Sequence, residues 1–154
     1  MRRILAVTLL ATMMASCQSA GVQHDQYTGK TIVHSERYSV NSGLLSNAHA
    51  TAVWTNTAGY QVVFDYLGTG GSWMFFRQAW AGGKQFPYTV TSEKVLSCAS
   101  GCTMAESGYF RLSEADFRQA LTRGLAFKVM GSGGAVTGKL PPEAFKKVSE
   151  LMKK

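Results

Sequence analysis

Charge is scarce in this chain. Asp, Glu, Lys and Arg make up 16% of 154 residues against 45% apolar residues, with no low-complexity tract or internal repeat. That balance excludes a disordered tail and leaves enough apolar surface for a folded core. The nine acidic residues are scattered and the histidines number three; no G-x-S-x-G, no H-E-x-x-H and no histidine cluster with Asp or Glu occurs. The sequence therefore offers no catalytic residue, no metal-ligand set and no cofactor motif, and the expectation is a protein that is not an enzyme. Beyond the N-terminal segment, no run approaches the roughly 18 apolar residues of a transmembrane helix. A surplus of positive charge is also thin: the 16 basic side chains less Arg2 and Arg3 leave 14 against 9 acidic ones. Their only dense group, Lys146, Lys147, Lys153 and Lys154, suits the last turn of a helix rather than a nucleic-acid surface, so no nucleic-acid partner is expected.

What is present begins with an address. Met1-Arg2-Arg3 is a positive start, residues 4–14 are uncharged and mostly apolar, and the small residues Ala15 and Ser16 follow. This is the pattern of an export signal, and its 11 apolar-rich positions rise only about 16 Å as a helix, too little to span a bilayer. Met14-Ala15-Ser16-Cys17 resembles the bacterial lipobox, with methionine where leucine is usual. The resemblance implies cleavage after residue 16, acylation of Cys17, and membrane lipid as a partner; Gln18 in place of aspartate implies sorting to the outer membrane, with the domain facing the periplasm. Residues 17–29 then read as the lipidated cysteine and a flexible tether, and 30–154 as a single β-rich domain.

From residue 30 to 130 the texture is β-branched and aromatic, cut every eight to twelve positions by Gly, Asn or Pro. It predicts strands over 31–40, 48–56, 60–67, 73–80, 88–96, 103–112, 126–130 and 135–140, an antiparallel, sandwich-like core. Two short helices follow in the C-terminal half. One starts at Ser113, which can cap Asp116, and stops at Gly124; the other starts after Pro141-Pro142. Ten of the 17 aromatic residues fall between Trp54 and Tyr88. They read as an aromatic core or, alternatively, as the ring-stacking groove of a module that binds or cleaves glycan or peptidoglycan; Tyr60 and Trp80, at strand ends, are the expected exposed members and the candidate binding residues.

Cys98 and Cys102 flank Ala99-Ser100-Gly101, a three-residue loop that sets its neighbours opposite one another, so a disulfide bracing a hairpin is predicted. The competing chemistry is Cu(I) or thiol redox, with Met104 as a further soft ligand, although His24, His34 and His49 show no sign of converging there. Gly133-Gly134-Ala135-Val136-Thr137-Gly138-Lys139 imitates a phosphate-binding loop, but Leu140 stands where Ser or Thr must follow, and a glycine-rich hairpin is expected instead. Asp65 and Glu106 are the two acids set among apolar residues, and both read as salt-bridged structural carboxylates.

The order Cys98 to Cys102, the helix from Ser113, Gly124, the strand to Met130, Leu140-Pro141 and Phe145 resembles the C-terminal half of the invasion-associated locus B family of exported proteobacterial proteins. Trp73-Met74-Phe75-Phe76-Arg77 is similar to small proteobacterial envelope lipoproteins. The resemblance implies a β-sandwich in the cell envelope and, in some relatives, a link to host-cell entry; it brings no catalytic residue. The function expected is a non-enzymatic envelope component that binds an envelope protein or a glycan.

Overall fold

The computed structural model describes residues 19–70, 72–99 and 101–153; the expected leader and the expected acylation site Cys17 lie outside them. The chain forms β1 (Gly21–Asp25), β2 (Lys30–His34), β3 (Tyr38–Ser42), β4 (Ser46–Thr55), β5 (Gly59–Thr69) and β6 (Phe76–Ala81). It continues through β7 (Lys84–Ser97), β8 (Thr103–Arg111), α1 (Glu114–Arg123), β9 (Leu125–Gly131), β10 (Gly134–Leu140) and α2 (Pro142–Leu151). Every pairing is antiparallel, in the order β1-β2-β4-β5-β8-β7-β6-β9-β10, with β3 also on β4. The mainly β architecture with two late helices is as predicted.

The layers come from one sheet folded over itself. β7 is the hinge of that fold: Lys84 to Pro87 pair with β6, whereas Tyr88 onward pairs with β8. Proline has no N–H for a ladder, and Pro87 stands where the strand leaves one partner for the other. The fold-over brings Phe127 of β9 against Phe64 of β5, ring centroids 6.0 Å apart, although these strands stand four places apart in the sheet. Phe64, Phe76, Phe110 and Phe127 form the centre, all buried, so most of the aromatic wealth is core. The far edge, β10, returns to β3 closely enough that a Cβ on Gly138 would lie 2.9 Å from Val40 Cβ.

The helices occupy one end of this sheet. Ser113 caps α1 by accepting the Asp116 N–H at 3.1 Å, and the Gly124 N–H closes it on Ala120 O at 2.9 Å. Phe117 stacks on Tyr60 at 4.0 Å and meets Phe145 edge-on at 5.8 Å, while α2 buries Ala144, Phe145 and Val148. Two expectations need correction. The lysines do not sit in the last turn of α2: Lys146 and Lys147 lie in its middle and Lys153 beyond Leu151. The segment 17–29 is also not all tether, because β1 pairs with β2 over five residues and Asp25 organises the turn, accepting the Tyr27 N–H at 2.9 Å and the Thr28 hydroxyl at 2.7 Å. The folded domain begins at Gly21, not at residue 30.

Candidate functional site

The chain leaves β5 at Thr69 and enters β6 at Phe76 through a loop that carries Trp73, Met74 and Phe75. The expected strand over 73–80 is thus three residues shorter at its start. Phe75 has φ 50, alone among the described non-glycine residues in having a positive φ. For a residue with a Cβ that conformation costs about 1–2 kcal/mol, so neighbouring structure must impose it.

Glu106 imposes it. Its side chain, 2% exposed in β8, accepts the Met74 N–H at 2.6 Å and the Phe76 N–H at 3.4 Å, gripping the backbone on both sides of Phe75. Hydrogen bonds from backbone amides to a carboxylate are stronger than neutral ones, and a buried carboxylate needs them. The expected structural role of Glu106 is therefore seen, but its partners are amides rather than a basic side chain. From the opposite side, the Gly133 N–H donates to Met74 O at 2.9 Å. Gly131 and Gly133 leave the room this requires: a Cβ on the first would run into the carbonyls of Met74 and Phe75, and on the second into that of Trp73.

The ring of Phe75 emerges 39% exposed. Trp73 stacks on it at 5.7 Å, and the Arg77 guanidinium lies 5.8 Å from its centroid, fixed in turn by Glu93 at 2.6 Å. Beside it runs a groove of about 440 Å³ lined by Arg77, Gln78, Met130 and Ser132. The arrangement is a preformed aromatic and cationic face with amide and hydroxyl groups at its border. It suits stacking and hydrogen bonding.

The residues singled out in the sequence fall elsewhere. Tyr60 is engaged by Phe117 in the packing of α1, and Trp80, 37% exposed on β6, faces Gln85 and Lys128 across the sheet. Neither lines the groove beside Phe75. Cys98 and Cys102 are joined in a disulfide, Cα atoms 4.0 Å apart, just past the last pair of the β7–β8 ladder. His24 bonds Thr31 and His34 bonds Ser35 O; among the described residues no group of three or more His, Cys, Asp or Glu could hold a metal ion. Residues 133–139 complete the turn and supply most of β10 in the expected β9–β10 hairpin.

Asp65 lies on the outer face, in a shallow groove of about 500 Å³, accepting the Ser107 hydroxyl at 2.7 Å and facing Arg37 at 3.5 Å. The expected salt bridge is present. His49 sits directly across from Asp65, and burial, helped by the Arg37 charge, holds its imidazole below the usual histidine range. Ser107 thus donates its hydroxyl to the Asp65 carboxylate and not to a histidine. Comparison of the chain with protein-family models, with curated proteins and with solved structures finds no match.

Proposed function

We propose that this protein is a lipid-anchored component of the outer membrane, acylated at Cys17, whose domain stands in the periplasm and binds another envelope component without catalysing a reaction. The Phe75 display carries the reading. A ring held out by a strained backbone and a buried carboxylate returns little to the stability of the fold, and a group fixed in advance loses little freedom when a partner covers it. Trp73 and Arg77 beside it suit a partner offering an apolar or aromatic group flanked by acceptors. The anchor is supported by the Met14 to Cys17 pattern and by a domain that begins only four residues beyond it. The link to host-cell entry rests on the family resemblance alone.

Two measurements test the reading. The processed protein should carry acyl mass on the peptide that starts at Cys17, and Cys17→Ser should abolish fatty-acid incorporation; a processed chain without that mass overturns the anchor. Photo-crosslinking from the groove beside Phe75 in intact envelopes should give a discrete adduct that Phe75→Ala reduces about tenfold and Trp80→Ala leaves alone. Equal adducts from all three overturn the site.

A second reading, a glycan- or peptidoglycan-binding module, is favoured by Gln78 and Ser132 beside the Phe75 ring, since sugars present an apolar face ringed by hydroxyls. Phe75-dependent retention on purified peptidoglycan would replace the first reading with this one. Copper or thiol redox chemistry would first require the Cys98–Cys102 bond to open.

A further inference from the structure

Four connections start and finish at the end of the sheet opposite the helices: those between β3 and β4, β5 and β6, β7 and β8, and β9 and β10. Not one Asp, Glu, Lys or Arg occurs in the stretches 38–48, 66–76, 95–105 and 129–138 that build this end. The helical end, by contrast, carries the ion pairs Lys84–Asp116 and Arg118–Glu114 together with Lys146 and Lys147. The uncharged end is also apolar at its tip. Leu44 is 99% exposed and Leu45 61%, with Leu67, Val95 and Leu96 exposed near them. The Thr69 N–H donates to Leu45 O at 2.8 Å, the Gly70 N–H to Cys102 O at 3.1 Å, and the disulfide ties Cys102 to Cys98 beside Leu96, so these positions form one braced surface.

The path of the chain says what faces it. β1 is antiparallel to β2 and β2 to β4, so β1 enters from the leucine side and runs toward the helices. Gly21 is level with His34 and hence with Val53, seven positions along β4 from Ser46. At about 3.3 Å per residue the leucine end therefore stands about 23 Å beyond Gly21. Four residues from Cys17 to Gly21 reach at most about 14 Å. Resting on the acylation of Cys17 argued above, such a leash cannot hold the leucine end clear of the bilayer while the strands stand upright on it.

We infer that the end of the sheet bearing Leu44, Leu45, Val95 and Leu96 beds into the surface of the bilayer that holds the acyl chains. Its leucines enter the interface, and Ser42, Ser46, Asn47, Ser97 and Thr103 beside them lie at headgroup depth, while Phe75, held level with Glu106 three positions back along β8 from Thr103, stands about 10 Å farther from the bilayer and stays open to a partner. The tip itself has no charge, and Arg37, Asp65 and Lys94 line the groove that Leu67 and Leu96 share behind it; burial of the leucines therefore carries the binding, anionic lipid is not required and salt does not release it.

Hydrogen exchange on the full processed protein in phosphatidylcholine–phosphatidylethanolamine vesicles tests this. Amides at 95–97 should exchange about tenfold more slowly in the wild type than in Leu44→Asp/Leu45→Asp, at low salt and at 1 M salt alike, while the 26–29 turn at the far end exchanges equally in both. No difference at 95–97, or protection lost at high salt, overturns the inference. So does protection that rises with the protein-to-lipid ratio, which would assign the surface to a second copy of the chain. Intact mass reports the acylation separately: were the chain unacylated, the same exchange measured at saturating lipid would still test the leucine end by itself.

Discussion

Tyr88 has its hydroxyl inside the molecule without a hydrogen-bond partner among the described residues, and burial, reinforced by the negative charges of Asp65 and Glu106, pushes its phenol well above the usual range. An unsatisfied buried polar atom costs about 1–3 kcal/mol, so Tyr88→Phe should raise the stability to urea by about 1 kcal/mol. Gly131→Ala should do the reverse. Its methyl group meets the Met74 and Phe75 carbonyls, and overpacking of this kind costs about 1–3 kcal/mol; the thermal midpoint should fall and the Phe75-dependent adduct should weaken with it. His49 adds a pH dependence of known sign. Its folded value is depressed below that of the unfolded chain, near 6.5, so the unfolded chain binds the proton more readily and stability falls as pH drops through the window below 6.5. His49→Gln should flatten that part of the urea midpoint against pH. At this scale the sequence revealed less than elsewhere. Glu106 stood out as a carboxylate among apolar neighbours, but its partners are amides about 30 positions away, which no local pattern exposes. Phe75 stood among the clustered aromatics, but nothing singled it out as the exposed one, since left-handed backbone is foreseen where glycine stands and this residue is phenylalanine.

The elements themselves were largely legible because apolar periodicity and turn chemistry act locally. β4, β5, β8, β9 and β10 begin and end within about two residues of the predicted spans. The departures have identifiable causes. A single strand was expected over 31–40, yet Ser35 breaks it into β2 and β3; its side chain, fully buried, accepts the Ala52 N–H at 3.1 Å and donates to Glu36 O at 2.7 Å, repairing the ladder where the edge of β4 changes partner. β1 was missed because it is a largely exposed edge strand with no apolar alternation to betray it. The cap of α1 was visible in full. Ser113→Ala should cost about 1 kcal/mol by thermal unfolding. It should also raise the Asp116 carboxyl, which the Ser113 hydroxyl first and Lys84 second hold below the usual range. The stability this depressed carboxylate contributes is present above about 3.9 and lost as pH falls through its folded value, so the variant should show a smaller loss in that acid window.

Across the whole molecule, the sequence called for layers but not for their origin in one sheet. The strand spans determine local pairing, whereas the fold-over depends on Phe64 and Phe127 meeting across 63 positions, a pairing no periodicity records. The disulfide closes only a short hairpin, so Cys98→Ser/Cys102→Ser should leave this core intact and lower the urea stability by about 2 kcal/mol through loop-closure entropy. Loss of the β spectrum instead would show that the bond holds the fold. The first strand has a mechanical meaning as well. Tension on the chain ahead of Gly21, with the helical end held, runs along β1, so its five residue pairs with β2 carry the load side by side, in shear. Tension applied at the 26–29 turn and across the sheet would part the same pairs one after another. The domain is thus stiff to a pull on the chain ahead of Gly21 and weak to a sideways peel.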